Sequence, residues 1–340
     1  MGISLSERQS LKSWNSFGIQ ASARNVILLD RLDSFFDQRE ALQTSPLMIL
    51  GGGSNILFTK DFPGTVLINE LKGKTILSTA NTEEVIVEVG AGENWHAFVQ
   101  WCLFHDFGGL ENLSLIPGKV GAAPIQNIGA YGVEIKDHFS YLQAIELSSG
   151  KSYQFNAADC AFGYRDSRFK REWKGLFLIT KVAFRLRRKQ HVLNTSYGAI
   201  AKVLAEKGIR NATIRDIADV VIAIRQSKLP DPAELGNAGS FFKNPEVEPS
   251  LFQNLIAAYP KMPHYPLDSG KVKIPAGWLI DQCGWKGKRV GDTGCYAKQA
   301  LVIVNYGDAS GAEIWEHALN VQASVVERFG IELSPEVNVI

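Results

Sequence analysis

Two glycine-rich stretches offer the densest sets of backbone N–H groups able to hold an anion. Gly51-Gly52-Gly53-Ser54-Asn55 follows the apolar run Leu47-Met48-Ile49-Leu50, and Pro117-Gly118 stands shortly before Ile128-Gly129-Ala130-Tyr131-Gly132. Glycine accepts positive φ and leaves its N–H unshielded, so a strand running into glycines is an arrangement that cradles phosphate. Either run alone reads first as a tight loop between strands. Together they suggest a diphosphate cradle.

Side chains with chemical potential lie elsewhere. Arg165 and Asp166 sit in Tyr164-Arg165-Asp166-Ser167, Ser240 in Gly239-Ser240-Phe241-Phe242-Lys243-Asn244-Pro245, and Glu336 in Ser334-Pro335-Glu336-Val337. Each has a plain structural reading: a loop ion pair worth under ~1 kcal/mol, a turn cap, a surface carboxylate. Arg225 and Lys228 close a helix, where cations suit the dipole.

Several near-motifs fail. Gly73-Lys74-Thr75 has Ile68 where a phosphate-binding P-loop needs its first glycine, and Gly90-Ala91-Gly92 has Trp95 where a dinucleotide fingerprint needs its third. Gly51-x-Gly53 has Ile56 there. His96, His105, His138, His191, His264 and His317 are too scattered for a metal set, and Ser240 has neither a nucleophile-elbow context nor a nearby histidine.

The elements that must position these residues are legible in part. Val26 to Leu29, Leu47 to Leu50, Thr65 to Ile68, Val85 to Val89, Leu176 to Leu186 and Ala300 to Val304 read as strands. Trp95, Phe98, Val99, Cys102 and Leu103 form one face of a helix starting near Asn94. Thr213 and Asp216 form a capping box for a helix with stripe Ile217, Val220, Val221 and Ile224, ending before Pro230. Pro275 starts a helix that Gly284 ends, and Ser310 with Glu313 caps one bearing Ile314, Ala318, Val321, Val325 and Phe329.

Composition narrows the class. A chain of 340 residues, 45% hydrophobic, is sized for about two domains, and 36 basic against 35 acidic residues give no bulk attraction to nucleic acid. Cys102, Cys160, Cys283 and Cys295 make no framework and are expected as reduced, buried thiols. The polar start and the lack of long apolar runs point to a cytoplasmic protein without membrane insertion.

The ordered segments Trp14-Asn15-Ser16-Phe17-Gly18, Leu50 to Asn55, Ile116-Pro117-Gly118, Pro124 to Gly132, Gly163 to Ser167, Gly239 to Pro245 and Pro335-Glu336-Val337 closely resemble the UDP-N-acetylenolpyruvoylglucosamine reductase family over nearly the whole chain. These flavoenzymes complete UDP-N-acetylmuramic acid for peptidoglycan synthesis, and hence serve cell shape and division. The resemblance implies an α+β protein with a vanillyl-alcohol-oxidase-type FAD-binding fold of two subdomains plus a C-terminal α+β substrate domain. The expected divisions are 1–70 with the tail 331–340, 71–229, and 230–330.

It also implies an oxidoreductase with non-covalent FAD, NADPH as electron donor and a UDP-sugar substrate, acting as a monomer. No histidine or cysteine stands in either cradle segment to tether the flavin. Cofactor contacts carried over by motif are Gly51, Gly52, Gly53, Ser54, Asn55, Pro117, Gly118, Ile125, Asn127, Ile128, Gly129, Tyr164 and Arg165. Ser240 becomes the proton donor, while Arg165 and Glu336 stabilise an enolate-like intermediate. Tyr197, Arg225, Lys228, Asn244, Tyr265, Lys286 and Gln299 become substrate contacts. The chain departs from relatives at Ala122-Ala123, where hydroxyls are lost near the flavin phosphates, and at Asn338, where an arginine is common. Lys119 and Tyr296 differ with no evident consequence.

Overall fold

The computed structural model describes residues 8–77, 79–195 and 197–340. Their contacts divide into two compact units: residues 8–9 with Ala23–Gly52 and Pro63–Ser227, and Ser10–Ser22 with Gly53–Phe62 and Lys228–Ile340.

The first unit contains an antiparallel sheet ordered Ser152–Asn156, Phe139–Glu146, Phe177–Arg187, Glu84–Gly90, Lys74–Leu77. Val85, Val87 and Val89 alternate into its core, as a two-residue period requires, against the helix Trp95–Phe104. That helix is capped by the Asn94 side chain, which accepts from the Ala97 N–H at 2.9 Å, and Trp95 edge-on and Phe98 at a tilt pack against Phe184 with ring centroids 5.7 and 5.4 Å away. A second sheet is ordered Gln9–Ser10, Ser22–Leu29, Phe62–Asn69, Leu47–Leu50. Its last two strands are parallel, Leu50 pairing with Ile68, which delivers Gly51 at a strand's C-terminal end. The Thr213–Asp216 box forms as expected, and the stripe on Ile214–Lys228 packs on Ile200 and Leu204 of the helix Gly198–Glu206.

The second unit has an antiparallel sheet ordered Gly236–Ser240, Gln299–Asn305, Thr293–Tyr296, Arg289–Val290. The helix Gly311–Phe329 carries the Ser310–Glu313 box, and Gly330, at φ +65°, ends it in the left-handed conformation. The chain end, Asn338–Val339, pairs in parallel with Ile56–Leu57.

Several elements carried too little periodicity to be read. Phe139–Glu146 is interrupted by register shifts that break its alternation, and Pro249–Ala258 buries only Leu255. Leu32–Leu42 buries only Phe35 and Leu42. The cysteines are free, but Cys283 is a correction: it is only half-buried because it caps the helix Ala276–Gln282, its thiol turned to the Ser324 carbonyl at 3.4 Å.

Candidate active site

The two glycine segments meet within the first unit. A Cβ on Gly52 would lie 3.0 Å from the Gly118 Cα, and one on Gly51 would lie 3.5 Å from the Ala122 methyl, so backbone faces backbone. The N–H groups of Gly51 and Gly52 donate to no acceptor among the described residues. Lys119, which sequence left without consequence, is a staple: its ammonium binds the Asn69 carbonyl at 2.9 Å and ion-pairs with Glu70, tying the second segment to a strand end. Gly53 has a different task. In the second unit, at φ +61°, a Cβ there would strike the Trp14 carbonyl oxygen at 1.9 Å.

The loop 163–167 is bound to the cradle at three points. Ser167 donates to the Ile125 carbonyl at 2.7 Å, Asn127 Nδ2 donates to the Gly163 carbonyl at 3.0 Å, and Arg165 donates to the Gly129 carbonyl. Asn127, fully buried, also donates to Glu134 at 2.9 Å and accepts from the Lys136 N–H at 3.2 Å, so its side chain is consumed in bracing. The Arg165 guanidinium lies 4.0 Å from Glu134 and 5.3 Å above the Tyr164 ring. Asp166 ion-pairs with Arg171 rather than with Arg165, which corrects the loop-pair reading.

Left-handed backbone is concentrated here: Leu115, Asn127, Tyr131 and Arg165 have φ of 59°, 44°, 51° and 52°. Such strain persists only where surroundings over-determine the conformation. Asn112 supplies part of that. Almost fully buried, it donates one amide hydrogen to the Tyr131 carbonyl at 3.0 Å and the other to the Asn194 carbonyl at 2.9 Å, while Asn194 returns a bond to Gly132 at 2.9 Å. Tyr197, exposed, meets the Tyr131 ring edge-on at 5.2 Å.

Arg225 is the strongest anion signal. Mostly buried, it donates from Nε to the Leu115 carbonyl at 3.2 Å; burial lowers its pKa, opposed by nearby Tyr131, and no carboxylate contributes. Burial raises the Tyr131 pKa, with Arg225 pulling back. A buried guanidinium with donors to spare and no counter-charge suits a phosphate.

In the second unit Ser240 ends a strand, opposite Val302, just after Gly239 at φ +70°. The Gly239 N–H donates to Asn237 Oδ1 at 2.9 Å, and Phe241 and Phe242 are buried anchors. Glu336 is brought alongside: its N–H donates to the Phe241 carbonyl at 2.8 Å, and the Lys243 N–H donates to the Ser334 carbonyl at 2.9 Å. Asn338 bonds the Asn55 carbonyl through both its N–H, at 3.1 Å, and its side chain, at 3.0 Å, so it fixes the tail to the first glycine segment.

Other expected residues scatter over this unit. Asn244 Oδ1 accepts from the Ala276 N–H at 2.9 Å, and Gln299 Oε1 is 2.8 Å from where a Gly277 Cβ would stand, so these two converge on one helix start. Tyr265 is exposed on a strand paired with Val272–Lys273. Lys286 pairs with Asp281 at 3.4 Å on the surface, and Lys228 ends its helix, exposed. Asn112, Glu134 and Lys119 were missed because their work is through-space bonding to distant carbonyls, which leaves no local pattern.

A glycine cradle braced by loop 163–167 suits a diphosphate-bearing cofactor, and the comparisons give the class as a flavin-binding oxidoreductase. A family model described as FAD binding domain matches residues 39–155, and one described as the UDP-N-acetylenolpyruvoylglucosamine reductase C-terminal domain matches residues 231–340. UDP-N-acetylenolpyruvoylglucosamine reductase from Flavobacterium johnsoniae is 50% identical over 97% of this chain and 98% of its own; that from Pseudomonas putida is 49% identical over 99% of each. The chain belongs to the UDP-N-acetylenolpyruvoylglucosamine reductase family. The crystal structure of the Thermus caldophilus reductase, 24% identical, covers 98% of each chain at a TM-score of 0.64 and shares the fold. The architecture is α+β, an FAD-binding domain followed by a C-terminal domain. Among the described residues no helix is long and apolar enough to cross a membrane, and no cluster could hold a metal.

Proposed function

We propose that the protein reduces UDP-N-acetylglucosamine enolpyruvate to UDP-N-acetylmuramate for peptidoglycan precursor synthesis, with NADPH as donor and non-covalent FAD as carrier. The observation that carries this reading is half-identity to the reductases along almost the entire chain. The residues fit the cofactor: Gly51, Gly52 and Gly118 would hold its diphosphate through peptide N–H groups, with Ser54, Asn55, Pro117, Ile125, Ile128, Gly129 and Tyr164 lining it, and Gly53 and Asn127 fixing the backbone.

When bound, FAD accepts hydride from NADPH and supplies it to the terminal carbon of the enolpyruvyl group. The protein's residues do the rest. Arg165, held by the Gly129 carbonyl, stabilises negative charge spreading onto the substrate carboxylate. Ser240 Oγ gives its proton to the adjacent carbon, from a strand end fixed by Gly239 and the buried Phe241. Glu336, protonated or hydrogen-bonded, supports the same anion. Arg225, Tyr197 and Lys228 receive the diphosphate, and Asn244, Tyr265, Lys286 and Gln299 receive the remainder of the sugar nucleotide.

We also assign 1–70 with 331–340, and 71–229, to the two flavin subdomains and 230–330 to the substrate domain. A monomer working in the cytoplasm is the matching state, which sedimentation and cell fractionation would check. The direct test is a visible spectrum. The purified protein is yellow, bleaches on anaerobic NADPH, and recovers on adding the enolpyruvyl nucleotide. Recovery in air alone, with no response to the nucleotide, would make it an oxidase instead.

A further inference from the structure

We propose that His96 is a positioning residue for Arg225: it locks the backbone of Leu115, whose carbonyl aims the guanidinium, and its protonation switches the anion site off. This rests on the reading that Arg225 receives the diphosphate of the sugar nucleotide. Leu115 is gripped at both of its backbone polar groups. Its N–H donates to His96 Nδ1 at 2.9 Å, and its carbonyl accepts from Arg225 Nε at 3.2 Å.

Leu115 sits at φ +59°, a conformation that a leucine does not hold unaided, so the two bonds define where its carbonyl points. His96 is itself rigidly placed. It is the second residue of the helix Trp95–Phe104, whose first residue is anchored by the indole N–H donating to the Leu113 carbonyl at 2.9 Å. The segment 113–115 is therefore tied to this helix at Leu113 and again at Leu115. Through Leu115 it is tied to the helix Ile214–Lys228 as well.

A backbone N–H can only donate, so His96 Nδ1 must be the unprotonated nitrogen and the ring proton must lie on Nε2. Arg225 is the charged group facing His96, and Tyr131 faces Arg225 in turn. A second proton on His96 would abolish its acceptor and set a like charge against the guanidinium. Burial, and then Arg225, hold the imidazole below its usual pKa, which favours the neutral ring and leaves charging to pH below the usual imidazole range.

The test uses the FAD-loaded enzyme, with NADPH reduction of flavin and reoxidation by the enolpyruvyl nucleotide followed separately. His96→Leu, lacking an acceptor, should raise KM for the nucleotide about ten-fold at neutral pH, with kcat and flavin reduction by NADPH close to wild type. His96→Asn offers an amide oxygen near the Nδ1 position and cannot charge. It should keep a near-normal KM and lose the rise in KM on acidification that is expected of wild type. Imidazole 15N NMR of the wild-type enzyme should report the Nε2–H tautomer.

An Nδ1–H tautomer, a normal KM in His96→Leu, or an unchanged acid response in His96→Asn would overturn the proposal. If wild-type flavin were not reoxidised by the nucleotide at all, the functional reading would fall. A reoxidised wild type beside an unaffected His96→Leu would remove this inference alone.

Discussion

The two units hold their candidate site side chains by different physics. In the first, Arg165, Tyr131 and Leu115 lie on left-handed backbone, and what holds them is side chains reaching to carbonyls: Asn127 to Gly163, Ser167 to Ile125, Asn112 to Tyr131. In the second, Ser240 and Glu336 lie on extended segments joined by main-chain bonds, Phe241 N–H to the Leu301 carbonyl at 2.9 Å and Glu336 N–H to the Phe241 carbonyl at 2.8 Å. Main-chain pairing survives side-chain substitution; side-chain braces do not. A change of the Ser240 or Glu336 side chain should therefore alter chemistry without moving neighbours, while a change to a side-chain brace of the first unit should alter how ligands sit.

The largest expected effect follows from that difference. Ser240→Ala leaves the strand pairing intact and removes only the proton, so reoxidation by the enolpyruvyl nucleotide should slow by roughly 10²–10⁴-fold while flavin reduction by NADPH stays near normal. Stopped-flow absorbance separates the two; equal losses would remove the serine's role.

Adjacent glycines sharpen the contrast next. Gly53→Ala combines φ +61° with a 1.9 Å clash against the Trp14 carbonyl and should cost roughly 3–5 kcal/mol, seen as a melting point lower by about 10 °C. Gly52→Ala meets the Gly118 Cα at 3.0 Å and should instead weaken FAD retention by about ten-fold with little change in apoprotein melting. If both variants lost stability alike, the first glycine pair would be structural and not a cradle.

Asn112→Asp keeps size and shape but faces two carbonyls with a carboxylate. The Tyr131 and Asn194 segments should separate, raising KM for the sugar nucleotide about ten-fold and opening residues 189–195 to protease, with flavin content unchanged. An unchanged KM would show that the loop needs no such tie.

The smallest effect lies in the second unit. Buried His317, bonded to Thr293 at 3.0 Å, has its pKa lowered to about 4 from 6.5, chiefly by burial. The unfolded chain binds this proton first, so the contribution is fully present above about pH 6.5 and is lost as pH falls toward 4. Denaturant melts at successive pH values should show that slope, and His317→Gln should flatten it.

How much was readable in advance differs element by element. The Ser310–Glu313 and Thr213–Asp216 boxes, the stripe on Ile214–Lys228 and the valines of Glu84–Gly90 are local patterns with fixed periods, and the chain adopts them. Phe139–Glu146 was not readable because register shifts disrupt its alternation. The glycine segments could be recognised as a cradle, yet Gly52 and Gly53 looked alike and proved to answer to different partners, one to Gly118 and one to Trp14.

The sequence by itself determined what depends on neighbours within a few residues: caps, stripes, glycine turns, and the ordered motifs that mark the family. Only the tertiary structure decided which carbonyl each buried amide, imidazole or guanidinium would bind. Asn112 reaches 82 residues along the chain to Asn194, and Arg225 reaches 110 to Leu115. The physical reason is that a buried donor must find an acceptor wherever folding happens to bring one, and that choice is made by packing rather than by sequence spacing.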